Sequence, residues 1–116
     1  MRFLMMTVDD GTPQEQPDEA LQAEMGAFIA ELSRSGVLLA TGGLDPRATH
    51  IVARDGKAEV VDGPFSESKE FVAGFALIET RTEEEAIELS RRFWSIVGSG
   101  RGTIQRVYGP EDTPTP

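Results

Sequence analysis

A chain of 116 residues with 39% hydrophobic and 27% charged side chains has the size and balance of one globular domain around one core. Twenty acidic against eleven basic residues give a net charge of −9, which repels phosphate backbones and anionic lipid, so neither nucleic acid nor a membrane is expected as a partner. Cysteine is absent and His50 is the single histidine, which excludes disulfides, thiolate nucleophiles and zinc–thiolate sites, so no metal and no cofactor are expected.

Arg2 to Val8 is a short apolar run closed by Asp9-Asp10-Gly11, and this pattern predicts a central strand buried on both faces. It is too short and wrongly flanked for a secretory signal, and no later run approaches the roughly 20 apolar residues of a membrane span, so a cytoplasmic location is expected. Pro17, Asp18 and Glu19 place a fixed φ and two carboxylates where a helix N-terminus favours them. Leu21, Met25, Phe28, Ile29 and Leu32 then recur at helical spacing, with Gly36 suited to the left-handed turn after the helix.

Val37 to Thr41 reads as a second strand that Gly42-Gly43 breaks or bulges before Leu44. His50 to Arg54 and Lys57 to Val61 flank Asp55-Gly56, a pair that tolerates the positive φ values of a type I′ turn and so predicts a β-hairpin. Phe71 to Thr80 is the longest strand, with Phe71, Ala73, Phe75 and Leu77 on one face and Val72, Gly74, Ala76 and Ile78 on the other. Thr82 with Glu85 three residues later has capping-box spacing, and Ala86, Leu89, Phe93 and Val97 continue a second helix. Arg91 and Arg92 are assigned to its last turns, and Gly98 and Gly100 end it. Thr103 to Tyr108 reads as the last strand, and Gly109 to Pro116 as a loose proline-rich tail.

This order predicts an α+β fold, a ferredoxin-like split β-α-β sandwich with an extra β-hairpin and both helices on one sheet face. The first strand and the Phe71 to Thr80 strand are apolar on both sides, so the uncovered face needs a cover. The simplest cover is the same face of a second copy, giving a homodimer.

Asp62 to Glu70 reads DGPFSESKE and combines a tight turn, an aromatic and four ionisable groups. The string resembles the DGPFAETKE signature of the YCII-related (DGPF) family, with seven of nine positions identical. Gly36-Val37-Leu38-Leu39, Gly43-Leu44-Asp45-Pro46, Asp55-Gly56-Lys57, Ala73-Gly74-Phe75 and Glu84-Glu85-Ala86-Ile87 also resemble stretches common in such proteins. The resemblance implies one such domain over residues 1–108, ahead of the tail at 109–116 whose prolines predict flexibility, and a dimeric α/β barrel made from two sheets face to face. It also implies an association with extracytoplasmic-function sigma factors and supplies no activity, since a fold alone does not name one. Similar proteins often end in a strand reading E-I-R-Q-V. Here Gln105 precedes Arg106, so the Arg106 guanidinium is expected on the opposite face from the family's arginine.

Asp62, Glu67 and His50 are the candidate catalytic residues. Asp62 suits a general base, Glu67 or Glu70 a carboxyl raised by repulsion or burial, and His50 a proton shuttle, being the one side chain that titrates near neutrality unaided. Against this, an aspartate before Gly-Pro commonly bonds its own turn, Lys69 can pair with nearby carboxylates, and Phe65 fits a core plug. A related branch, the YCII-like dehydrochlorinases, is associated with a His–Asp pair that this sequence lacks at a matching position. The candidate ligand-binding segment is Asp62, Gly63, Pro64, Phe65, Ser66, Glu67, Lys69 and Glu70, expected to line a concavity at the end of the long strand. Two functions fit: a small-molecule-binding or regulatory module, and a cofactor-independent acid–base lyase or isomerase acting on a small organic molecule.

Overall fold

The computed structural model describes residues 1–9, 18–61 and 71–112, and the segment Asp62 to Glu70 therefore lies outside the described residues. Eight elements follow in order: β1 (Arg2–Asp9), α1 (Glu19–Arg34), β2 (Leu38–Gly43), β3 (His50–Arg54), β4 (Lys57–Val61), β5 (Phe71–Glu79), α2 (Glu83–Val97) and β6 (Arg101–Val107). Four of the strands form one sheet in the order β2-β5-β1-β6, with antiparallel pairing throughout, and β3 and β4 form a separate two-stranded sheet. This is α+β architecture with the strand order of a ferredoxin-like sheet, and the two strands with the most continuous apolar sequence, β1 and β5, are the central ones.

Local chemistry sets the element ends. The Asp18 carboxylate accepts from the Leu21 N–H at 2.8 Å and caps α1. The Thr82 hydroxyl accepts from the Glu85 N–H at 3.2 Å and caps α2, while the Glu85 carboxylate accepts from the Arg81 N–H, one residue before the cap. Asp55 (φ 52°) and Gly56 (φ 80°) are both left-handed, as a type I′ turn requires, and the hairpin strands begin and end where the sequence places them. Gly98 closes α2 at φ 102° by donating to the Trp94 carbonyl.

The core lies on the helix-covered face of the sheet. Phe3, Ile78 and Ala86 are fully buried, with Met5, Val37, Leu38, Ala76, Leu89 and Ile104 packed around them. Phe28 and Leu32 of α1 are buried as well. Arg92 of α2 lies 4.8 Å over the Phe28 ring and bonds Glu31 at 2.6 Å, which sets the two helices side by side.

Four expectations are corrected. Gly42 and Gly43 stay inside β2, and its register shift falls between Leu38 and Ala40 instead. The reason is packing: the Phe75 ring comes within 3.3 Å of where a Gly42 Cβ would sit. Alternation along β5 is interrupted, because Thr7 pairs with Gly74 but Val8 pairs with Val72, so Ala73 bulges out and Val72 joins the face of Phe75 and Leu77. Arg91 and Arg92 precede the last turn of α2, which holds no basic residue; they pair with Glu88 and Glu31. The last strand starts at Arg101, because Gly102 and Thr103 continue the ladder with Thr7 and Met6, and it ends at Val107, before Tyr108. Beyond it, Gly109 and Asp112 form a turn in which the Gly109 N–H donates to the Asp112 carboxylate at 2.8 Å.

Candidate functional site

Side chains facing the helices fall into transverse rows, because residues paired across antiparallel strands share a face. One row crosses the four strands as Leu38, Ile78, Phe3 and Arg106, and carries the core under Ala86. The next is Thr41, Ala76, Met5 and Ile104. The third is Gly43, Gly74, Thr7 and Gly102, so three of its four members have no side chain. Side-chain volume therefore falls across these three rows, before Asp9 and Phe71 pair beyond the third.

Helix α2 bridges the full and the empty rows. Its Ala86 end sits on the core, and its Ser90, Phe93 and Trp94 stand over the glycine row, leaving a cavity of about 320 Å³. The roof is aromatic, with the Phe93 and Trp94 rings edge to face at 5.0 Å. Trp94 fits only because positions 100 and 102 are glycine: a Cβ at Gly100 would meet the indole at 2.6 Å and one at Gly102 at 3.1 Å. Gly100 also holds a φ of +146°, which side chains rarely adopt.

The hydroxyl side chains on the helix side of the cavity are those of Thr7, Thr41 and Ser90; Thr103 also borders it but is in register with Met6 of the open face, and none of the described lining residues is ionisable. Thr41 donates to the Phe75 carbonyl at 2.9 Å, which leaves its oxygen lone pairs as acceptors. Such a space suits an uncharged molecule about the size of one substituted aromatic ring, since burying an ion without a partner is costly. Among the described residues there is no grouping of three or more acidic, histidine or cysteine side chains that would hold a metal ion.

Of the sequence candidates, His50 stands on the exposed hairpin in register with Val61 and is not among the residues that line the cavity. The candidates Asp62, Gly63, Pro64, Phe65, Ser66, Glu67, Lys69 and Glu70 lie outside the described residues. Their chain joins β5 at Phe71, which pairs with Asp9 at the same end of the sheet as the glycine row. Arg106 shares a face with Phe3, under the helix side, and lies 4.8 Å over the Tyr108 ring, whereas Gln105 pairs with Leu4 on the open face. Positions 105 and 106 thus face opposite sides of the sheet.

Trp94, Thr7, Thr41 and Ser90 were not singled out by sequence reasoning, and neither was the glycine row. The spacing of Trp94 from Gly100 and Gly102 is the one local signal for them. No helix among the described residues is long and apolar enough to cross a membrane.

The model of the YCII-related domain matches residues 1–101 of the chain. No curated protein matches it. Among solved structures, the chain is similar to a 5-chloro-2-hydroxyhydroquinone dehydrochlorinase from Burkholderia phenoliruptrix AC1100 in complex with 2,5-dihydroxybenzoquinone. That likeness has 16% identity, covers 93% of this chain and 94% of the other, and has a TM-score of 0.46.

Proposed function

The chain belongs to the YCII-related domain family, and we propose that it is a small-molecule-binding module whose ligand is an uncharged, ring-sized organic compound held between α2 and the glycine row. The observation that carries this reading is the row itself. Gly74 and Gly102 line the space and Gly43 continues their row, leaving a gap in an otherwise filled sheet face, and what surrounds the space is apolar or hydroxylic. Aromatic edges from Phe93 and Trp94 complement a flat ring, and threonine and serine hydroxyls complement its hydroxyl or carbonyl groups.

Trp94 is the single tryptophan, so its fluorescence reports on the cavity directly. Titration with neutral phenols is expected to change that emission saturably, with dissociation constants below about 1 mM. Matched benzoates, charged at neutral pH, are expected to bind at least tenfold more weakly, because nothing in the described lining pairs with them. Binding of benzoates in preference to phenols would overturn the reading.

A second reading, the cofactor-independent acid–base lyase or isomerase, draws support from the place where the DGPFSESKE segment joins the sheet, at Phe71 beside the glycine row. Under it, Asp62→Asn abolishes turnover of a bound ring while leaving its affinity within about twofold. Equal loss of binding and of melting temperature would make Asp62 a turn residue.

The open sheet face supports a homodimer as the working assembly. Leu4, Met6, Phe75 and Leu77 lie there half-buried, with no described helix over them. Covering them with the same face of a second copy removes an apolar patch from water.

A further inference from the structure

β2 and β5 are antiparallel neighbours, with Gly43 paired to Gly74, so a two-residue turn near that point would suffice to join them. Instead the chain inserts residues 44–70, and within them β3 and β4 pair only with each other as a sheet. Every residue of both strands is exposed. A two-stranded hairpin standing by itself is marginal in water, and its persistence calls for a surface to lie against.

The hairpin has one wholly apolar face. Ile51 pairs with Val60 and Ala53 with Ala58, and Ile51 and Val60 are 65% and 64% exposed. The other face carries the charges, with Arg54 directly opposite Lys57 beside the turn. Like charges in that register repel, and neither cation is in an ion pair among the described residues. Over His50–Val61 the two cations balance Asp55 and Glu59, so the whole net charge of −9 resides on the rest of the chain. The hairpin is therefore a part of this acidic molecule whose net charge a second copy does not repel, and its basic end complements exposed acids such as Glu83, Glu84 and Glu85.

We infer that β3–β4 is an arm that docks on a second copy of this chain, with Ile51, Ala53, Ala58 and Val60 as its contact strip and Arg54 and Lys57 meeting acidic side chains of that copy. The inference rests on the proposed homodimer and adds a second contact to it, separate from the open sheet face. In a two-fold assembly the arms are exchanged reciprocally, so each copy both gives and receives one.

Light scattering and sedimentation at micromolar concentration test it. The unaltered protein is expected to have twice the chain mass of 12.6 kDa. Ile51→Glu/Val60→Glu is expected to raise the dimer dissociation constant at least tenfold, and Arg54→Glu/Lys57→Glu to raise it severalfold, more at low salt than at high. If the unaltered protein is a monomer, the arm and the sheet-face dimer both fail. If it is a dimer that Leu77→Glu breaks while both arm variants leave unchanged, only the arm inference fails. Because the chain has no cysteine, Ile51→Cys can also be labelled singly with a benzophenone maleimide. Irradiation is expected to give a covalent product of two chains, and its absence would overturn the arm even where the glutamate variants do not fold.

Discussion

Replacing Gly102 with alanine would place a Cβ 2.3 Å from the Met6 carbonyl oxygen and 3.1 Å from the Trp94 ring. The oxygen belongs to the backbone of the adjoining strand, so no rotamer change relieves the contact, and β6 has to move off β1 around the Thr7 and Gly102 pair. Overpacking costs about 1–3 kcal/mol, and an obstacle made of backbone belongs at the upper end of that range. For a domain of this length, about 3 kcal/mol lowers the melting temperature by about 10–15 °C. Gly74→Ala is the control on the same row: its Cβ would lie 3.3 Å from the Gly42 carbonyl oxygen and 3.4 Å from the Thr7 hydroxyl oxygen, distances that a shift of tenths of an ångström accommodates. It should cost less than about 1 kcal/mol while taking a methyl group's space from the cavity and weakening phenol binding. Melting followed by far-ultraviolet circular dichroism separates the two, since the Trp94 signal itself is perturbed at position 102. A Gly102→Ala protein as stable as the parent would refute the close approach of β1 and β6 on which the cavity argument depends.

Two further outcomes follow from contacts outside the cavity. Thr82→Ala removes the cap of α2 and should destabilise by about 1 kcal/mol in urea denaturation, with Thr82→Ser restoring most of it. Leu77→Glu sets a charge on the open face, opposite Leu4, and should convert a dimer into monomers in sedimentation without loss of helical signal.

Much of the fold was legible because its boundaries are written in single residues. Asp18 and Thr82 announce helix starts through side-chain oxygens, and Asp55-Gly56 announces the hairpin through two left-handed positions. The bulge at Ala73 has no such marker, since any small residue tolerates it, and it inverted the faces assigned to Phe71 and Val72. Glycine's conformational freedom makes Gly42-Gly43 look like a break, but what matters at Gly42 is its small size, which gives the Phe75 ring room beside the strand. The cavity was illegible for a different reason. Positions 7, 41, 74 and 102 look ordinary one at a time and become a site only through register, which depends on the whole sheet. The DGPFSESKE segment drew the sequence-based site assignment because its chemistry is local and conspicuous, but it falls outside the described residues.

That the cavity floor takes residues from each of four strands also decides how occupancy and folding communicate. No partial unfolding that releases β6 or β2 can keep the row intact, so a ligand seated there favours the complete sheet over every partly opened form. At a free concentration one hundred times its dissociation constant, it adds about 2.7 kcal/mol to global stability. Slow hydrogen exchange should then spread on binding to the amides of all four strands, well beyond the residues the ligand touches, making the protein's resistance to unfolding a measure of how much ligand its surroundings contain.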